Sequence, residues 1–416
     1  MLRIKPFEAI RPPVEIVSRL AALPYDVMDT HEARQMADGN PDCFLRISRP
    51  ELELPDNTDP YSDAVYRRAS DNLLAFLDRG SLQRDDTPRL FLYRQSATLL
   101  GKERTQTGLV CCCHVDDYNN NLIKKHEKTR RAKEDDRTRH VLETNVNSGP
   151  VFLMFKDNPD IAGLMQQTVA NPPLYDFTAP DGVRHTVWPI ENSQPFIDAF
   201  ATIPAAYVAD GHHRAASAAR AAATRASQNP NHSGNEEYNW FLSVLFPASH
   251  LTILPYHRIV TELNTLSPDQ FLAKLRDIAP LTELDHTKNH LPQATGSICI
   301  YTDKRWFSLT FPPDSINHAD AVASLDYQLL SERILDPILG IADLRTDPRI
   351  DFVGGIRGPE ELRKRVDAGH AAAAFAMAPV RIDQIMSVAD AGQIMPPKST
   401  WFEPKLRSGL LVHSLD

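Results

Sequence analysis

Cysteine is scarce and set in a pattern that fits neither of its usual structural uses. The chain has five, Cys43, Cys111, Cys112, Cys113 and Cys299. The odd number and the adjacent three argue against a disulfide framework, and the spacing matches no zinc site. Cys111 to Cys113 follow Gly-Leu-Val and lead into His-Val, the setting of small apolar filling in a strand. A reducing cytoplasm is the expected compartment. Glycine is sparse, 17 residues against 32 prolines, which speaks for rigid turns rather than a flexible array. No internal repeat stands out, and the one low-complexity tract is rich in alanine. No apolar run is long enough to span a bilayer, and MLRIKPFEAIRPP has no apolar signal core. Positive charge is not in excess: 45 basic and 54 acidic residues leave a net charge of −9. That argues against a general nucleic-acid binder but leaves room for a local basic site. What remains is ordinary for a soluble globular protein, with 416 residues, 42% hydrophobic and 24% charged, enough for two or three domains and a large core.

The most chemically loaded stretch is residues 205–216, AAYVADGHHRAA. Residues 203–209 are short and apolar, as a buried strand requires. Asp210-Gly211 breaks that strand, and Gly211 can take a positive φ that other residues resist. From Ala215 the text AASAARAAATRAS has the best helix-forming composition available. Asp210, Gly211, His212, His213 and Arg214 therefore fall where a strand hands over to a helix. Free N–H groups and the positive end of the helix dipole make that junction a ready phosphate site. Asp210 can equally be a turn or cap residue there, and the histidines polar filler.

A second unusual stretch is residues 123–143, IKKHEKTRRAKEDDRTRHVLE. Its composition is helical but it has almost no apolar face. His126, Arg130, Lys133, Arg137 and His140 recur at helical spacing and predict one cationic stripe, with Glu127, Asp135 and Asp136 beside it. Such a helix can face a polyanionic ligand, or it can be a solvated surface laced by i,i+4 ion pairs. HEKTR is not HExxH, so a zinc protease is not supported.

Around these stretches the coarse pattern alternates strand and helix. A first strand is expected within residues 4–10 and a helix in VEIVSRLAAL. Asp29-Thr30 caps a helix that Gly39 closes. CFLRIS at residues 43–48 reads as a strand, and residues 59–82 as an amphipathic helix. Residues 90–98 and 107–115 read as a strand pair, and 175–188 as another turning at Pro180-Asp181-Gly182. Later come a hairpin at 297–311, an amphipathic helix at 325–339 and a buried strand in AAAAFAMAP. Two regions are expected, 1–260 and 261–416. The tail, MPPKSTWFEPKLRSGL at residues 395–410, is stiffened by two prolines and anchored by Trp401 and Phe402. It carries Lys398, Ser399, Thr400, Lys405, Arg407 and Ser408 as phosphate-type partners, and it can also be a plain structural strap.

Five motifs, IKPFEAIRPP, PYDV at 24–27, IKKHEKTRRAKEDDR, ADGHHRAA and MPPKSTWFEPKLRSGL, resemble the bacterial and archaeal family labelled domain of unknown function 1015 over nearly the whole chain. That label implies no reaction. A Gly-x-His-Arg turn opening a helix after an Arg-Pro segment is more distantly similar to the ParB/sulfiredoxin superfamily, which includes free-serine kinases. The resemblance implies a mixed α/β fold: a ParB/sulfiredoxin-like nucleotide-binding core with large insertions, and a second α/β unit. It implies a kinase-like phosphotransferase acting on a small hydroxyl metabolite such as serine. The donor would be a nucleotide, ATP or ADP, or pyrophosphate, with Mg²⁺ as a candidate ion. Asp210, His212, His213 and Glu127 are then the catalytic candidates. Gly211, Arg214, Arg11, His126, Arg130, Lys133, Arg137, Lys398, Ser399, Thr400 and Lys405 are the phosphate or nucleotide ligands, and Tyr25 and Asp26 the substrate contacts. A metal-dependent phosphoester hydrolase and a non-catalytic ParB-like nucleotide-binding module are the alternatives. A small molecule is the expected partner, and neither a membrane nor nucleic acid is expected.

Overall fold

The computed structural model describes residues 1–416. They form two compact units, Met1–Leu251 with Pro404–Asp416, and Thr252–Glu403. Both mix helices and sheet, so the fold is a mixed α/β one. No helix is long and apolar enough to cross a membrane.

The first unit is built on a mixed sheet. Its strands run in the order Ile123–Lys124, Ala206–Asp210, Val151–Phe155, Trp240–Pro247, Lys102–His114, Leu90–Leu99, Arg184–Ile190 and Tyr175–Thr178, and Ile4–Lys5 pairs with Lys102–His114. Most pairs are antiparallel, but Ala206–Asp210 runs parallel to Ile123–Lys124, and Trp240–Pro247 parallel to Val151–Phe155. The strand pairs expected at 90–115 and 175–188 form, with Lys102–His114 and Arg184–Ile190 longer than expected, and Cys111, Cys112 and Cys113 sit buried in the long strand. The helix His212–Gln228 lays Ala215, Ala218, Ala221 and Ala222 into the sheet core. The helix Arg131–Thr144 packs beside it. A smaller sheet orders Gln83–Arg84, Ala9–Arg11, Val412–Ser414 and Val146–Asn147.

Three local expectations are corrected. CFLRIS is not a strand but leads into a short helix, Leu45–Ser48. Phe44, Leu45, Ile47 and Ser48 are all buried, a period that a short apolar run does not reveal. The first strand is two, Ile4–Lys5 and Ala9–Arg11, with Pro6 lacking an N–H between them. VEIVSRLAAL yields only one helical turn, Val17–Leu20. The helix Thr30–Ala37 does carry its cap, a capping box between Asp29 and Glu32.

The second unit holds an antiparallel sheet in the order Leu281–Leu284, Arg305–Thr310, Ser297–Thr302, Ala373–Ala376, Tyr256–Val260 and Ile350–Gly354. The hairpin expected at 297–311 forms and turns at Asp303-Lys304, and Ala373–Ala376 is the buried alanine strand. The amphipathic helix begins as Asp326–Leu330 and loosens into a π-helical turn, Ser331–Leu335. Trp401–Glu403 pairs with Thr252–Leu254. The tail thus divides, with residues 395–403 in the second unit and 404–416 in the first.

Candidate functional site

The junction after Ala206–Asp210 has the expected form. Gly211 caps the following helix at φ +88°, the left-handed region. A Cβ on Gly211 would lie 3.0 Å from both Cζ and Nε of Arg214. The missing side chain lets the Arg214 guanidinium fold back over the helix start. Nη1 of Arg214 donates to the Pro150 carbonyl, Nη2 lies 3.5 Å from Asp210 Oδ2, and Nε has no partner.

Asp210 also faces Lys405, with Nζ at 3.5 Å. Lys405 is placed by its backbone, whose carbonyl accepts from Gln95 Nε2 at 2.9 Å, while Gln106 holds Gln95 at 2.8 Å. Two residues on, Arg407 is pinned by His185 and Asp181. Burial pushes the Asp210 carboxyl up, but Lys405, Arg214 and the Gly211 N–H outweigh it and hold it well below the usual carboxylate range. Both of its ion pairs, at 3.5 Å, are longer than a tight charge-assisted bond.

Parallel pairing with Ala206–Tyr207 brings Ile123–Lys124, and the loop after it, to the same place. His126 packs edge-on against His212, with ring centroids 4.6 Å apart. Glu127 Oε2 lies 3.8 Å from His212 Nδ1. Neither nitrogen of His126 has a hydrogen bond of normal geometry, only a weak contact with the Val208 backbone, and His212 Nε2 has none. Burial pushes His126 down and His212 down to about 4, so both rings are neutral at pH 7. His213 accepts the Arg130 N–H at Nε2, 3.1 Å away. Burial lowers His213 as well, against the opposing pull of Glu127 and Asp26.

A cleft enclosing about 510 Å³, solvent-open space included, adjoins this cluster through Arg214. Arg137 is its second guanidinium. It is ion-paired with Asp136 at 2.9 Å, donates to the Ser48 carbonyl at 3.2 Å and stacks 4.2 Å from the Tyr25 ring centroid. Burial and Asp26 raise the Tyr25 phenol, so it stays protonated. Ser48, Ser148, Ser217 and Ser408 add hydroxyls to the lining. Gly149 lets the loop approach Ser408, whose Oγ would stand 2.8 Å from a Cβ there.

The cationic stripe does not form as one face. The helix starts at Arg131, so His126 lies in the preceding loop and Arg130 is the exposed cap. Lys133 is exposed, 5.7 Å from the Tyr61 ring centroid. His140 borders the cleft, bonded to the Ile47 carbonyl at 2.9 Å and lowered to about 4 by burial. Arg11 is tied to Asp85 at 2.8 Å and to the Tyr175 hydroxyl at 3.2 Å, and does not line the cleft. Asp26 is exposed beside Tyr25. Lys398, Ser399 and Thr400 belong to the second unit. There Lys398 lies 5.5 Å from the Tyr256 ring centroid, Ser399 is buried on the Pro396 carbonyl, and Arg258 holds the Pro397 carbonyl at 3.1 Å. Sequence reasoning missed Asn147, Ser148 and Gly149, whereas Ser408 is one of the tail's expected phosphate-type partners and does line the cleft. The turn-forming run Asn-Ser-Gly-Pro was the one available signal for the first three.

Residues 4–328 match the family described as "Protein of unknown function (DUF1015)". No curated protein matches the sequence. Among solved structures, a free serine kinase in complex with AMP is 11% identical at a TM-score of 0.35, covering 71% of this chain and 86% of that one. A conserved hypothetical protein from Pyrococcus furiosus is 11% identical at 0.35, covering 72% and 93%. A C-terminally truncated SbnI from Staphylococcus aureus is 10% identical at 0.39, covering 73% and 86%. TM-scores this low carry neither a fold nor an activity across.

Proposed function

The chain belongs to the DUF1015 family, whose description names no reaction, and we propose from its site that it is a phosphotransferase acting on a small hydroxyl compound. One observation carries this reading. Two guanidinium groups, Arg137 and Arg214, line one cleft with several hydroxyls, and Arg214 lies over a helix N-terminus with Nε unpartnered. Phosphoryl transfer is mostly positioning and charge neutralisation. Arg214, Lys405 and the helix start would hold the donor's phosphates. The strand–Gly211–helix turn is also what supports a ParB/sulfiredoxin-like core.

Asp210 suits an electrostatic role better than a basic one. Its carboxyl is held too low to take a proton effectively at neutral pH, and it orients Arg214 and Lys405 instead. Glu127, beside neutral His212, is the proton acceptor in this reading. The substrate oxygen forms a bond to the donor's terminal phosphorus, the bond to the leaving phosphate breaks, and the hydroxyl proton goes to Glu127. Mg²⁺ needs only one or two protein carboxylates when phosphates supply the rest. Asp210 and Glu127 are the carboxylates of the cluster that would meet such an ion. The hydrolase alternative needs a protein-built metal cluster, and no three His, Cys, Asp or Glu side chains are grouped to make one.

Calorimetric titration with pyrophosphate, ADP and ATP tests binding, and ³¹P NMR with a panel of hydroxy amino acids and hydroxy acids tests transfer. Binding that Arg214→Ala weakens, with transfer to one acceptor, is the expected result. Binding without transfer to any acceptor would leave a nucleotide-binding module. Binding that ignores Arg214→Ala would overturn the site.

A further inference from the structure

Asn147 lines the same cleft as Arg214 and Gly149. It lies on the short strand Val146–Asn147, opposite His413 of the C-terminal strand Val412–Ser414. Three neighbours decide which way its carboxamide points. The Leu242 N–H donates to Oδ1 at 3.1 Å, and a backbone N–H only donates, so that atom is the oxygen. The same oxygen lies 3.1 Å from His413 Nδ1, which therefore carries a hydrogen. The other ring nitrogen, Nε2, faces Glu237 Oε2 at 3.1 Å, and Glu237 is also ion-paired with Lys5. Burial pushes His413 below its ordinary value and Glu237 pulls it back. The neutral ring with its hydrogen on Nδ1 already satisfies Asn147 Oδ1, and protonation adds the bond to Glu237.

Both lone pairs of Asn147 Oδ1 are thus taken, and its unused capacity is the N–H pair on Nδ2. That nitrogen meets no protein acceptor and is not sealed from solvent. The open space that Asn147 borders is the cleft.

We propose that Asn147 is a ligand-binding residue of the cleft, its Nδ2 donating to a phosphoryl oxygen held by Arg214. This rests on reading the cleft as the phosphate site. His413 is then a positioning residue that acts through Asn147: with Leu242 it prevents the amide from flipping to present oxygen to an anion. A fixed, uncharged donor beside a guanidinium favours an acceptor-only oxyanion over a ligand hydroxyl, which also has a proton to place.

The test is Asn147→Asp. The new carboxylate keeps the acceptors for Leu242 N–H and His413 but turns an anion towards the cleft. The expected result is a melting temperature equal to or above the parent's, with pyrophosphate affinity weakened at least about tenfold by calorimetry, a loss of about 1.4 kcal/mol. If Arg214→Ala weakens binding and Asn147→Asp does not, this inference falls and the phosphate reading stands. If the parent binds neither pyrophosphate nor ADP, both fall. Should Asn147→Asp fail to fold, the side-chain amide signal of Asn147 in the parent decides. Its ¹⁵N–¹H pair shifts on pyrophosphate addition if Nδ2 is a ligand, and an unmoved pair overturns the proposal.

Discussion

Gly211→Ala separates two roles that coincide in one residue. The first is conformational. Gly211 has φ +88° and ψ 31°, and an L-residue in that region costs about 1–2 kcal/mol. For a unit of this size that lowers the melting temperature by about 2–8 °C. The second role is steric. The new Cβ would stand 3.0 Å from Arg214 Cζ and Nε and 3.2 Å from Nη2. A guanidinium at the end of a flexible chain gives way before backbone does, so Arg214 leaves its place over the helix start. Binding of pyrophosphate should then fall as far as in Arg214→Ala, by about 1.5–3 kcal/mol for lost charged hydrogen bonds, or roughly ten- to 150-fold in Kd. The double variant supplies the check. If Gly211 affects the ligand through Arg214, combining the two changes adds nothing further to the binding loss, although the two stability losses are both felt. Calorimetric titration and thermal melts on the three variants read both quantities. A Gly211→Ala protein that melts lower yet binds pyrophosphate like the parent would show that Arg214 does not hold the anion.

Three other outcomes follow from the same geometry. His212 and His140 are each lowered to about 4 by burial; their contribution to stability is full above about 6.5, the unfolded value, and is lost as pH falls towards 4, so urea midpoints should be lower at pH 5 than at pH 7.5, and equal midpoints would refute this. Asp210 is depressed, so its contribution is present above the unfolded carboxylate value and lost as pH falls through the folded one; Lys405→Met removes one of its cations and should move the onset of acid unfolding, followed by circular dichroism, to higher pH. Arg137→Met leaves the buried Asp136 with Tyr66 as its remaining partner at 3.0 Å and should cost about 3–5 kcal/mol, whereas exposed Lys133→Ala should stay within about 0.5 kcal/mol; denaturant titration giving similar losses for the two would contradict the assignment of Arg137 to the cleft wall.

The junction at Asp210 to Arg214 was legible because each residue there states its conformation locally: an apolar strand, a glycine that permits positive φ, and an alanine run that prefers helix. The hairpin at Asp303-Lys304 and the cap at Asp29 were legible for the same reason. The His126 to His140 stripe was misread because spacing describes a helix only where a helix exists, and this one begins at Arg131. Lys405 was picked out by its chemistry, but its partner, Asp210, comes from a strand far away in sequence. Asn147 was invisible: nothing in Val-Asn-Ser-Gly announces that His413 and Leu242 will orient its amide. The tail's prolines and aromatics announced a stiff, anchored segment but not that residues 404–416 carry the buried strand Val412–Ser414, paired with Ala9–Arg11 and Val146–Asn147.

All five thiols are free and buried, and they are distributed so that the molecule reports on its own opening. Cys111, Cys112 and Cys113 lie in the long strand of the first sheet, Cys43 in the neighbouring cluster of short helices, and Cys299 in the sheet of the second unit. A thiol-alkylating reagent therefore finds nothing to modify until a particular region exposes its own sulfur. Pulse alkylation during denaturation, read by mass at the peptide level, would time the exposure of the central sheet, of the helices beside it and of the second unit separately, with no label introduced. The same arrangement makes oxidative damage a marker of prior unfolding, because a disulfide or sulfenic acid can form at these positions only in a chain that has already opened.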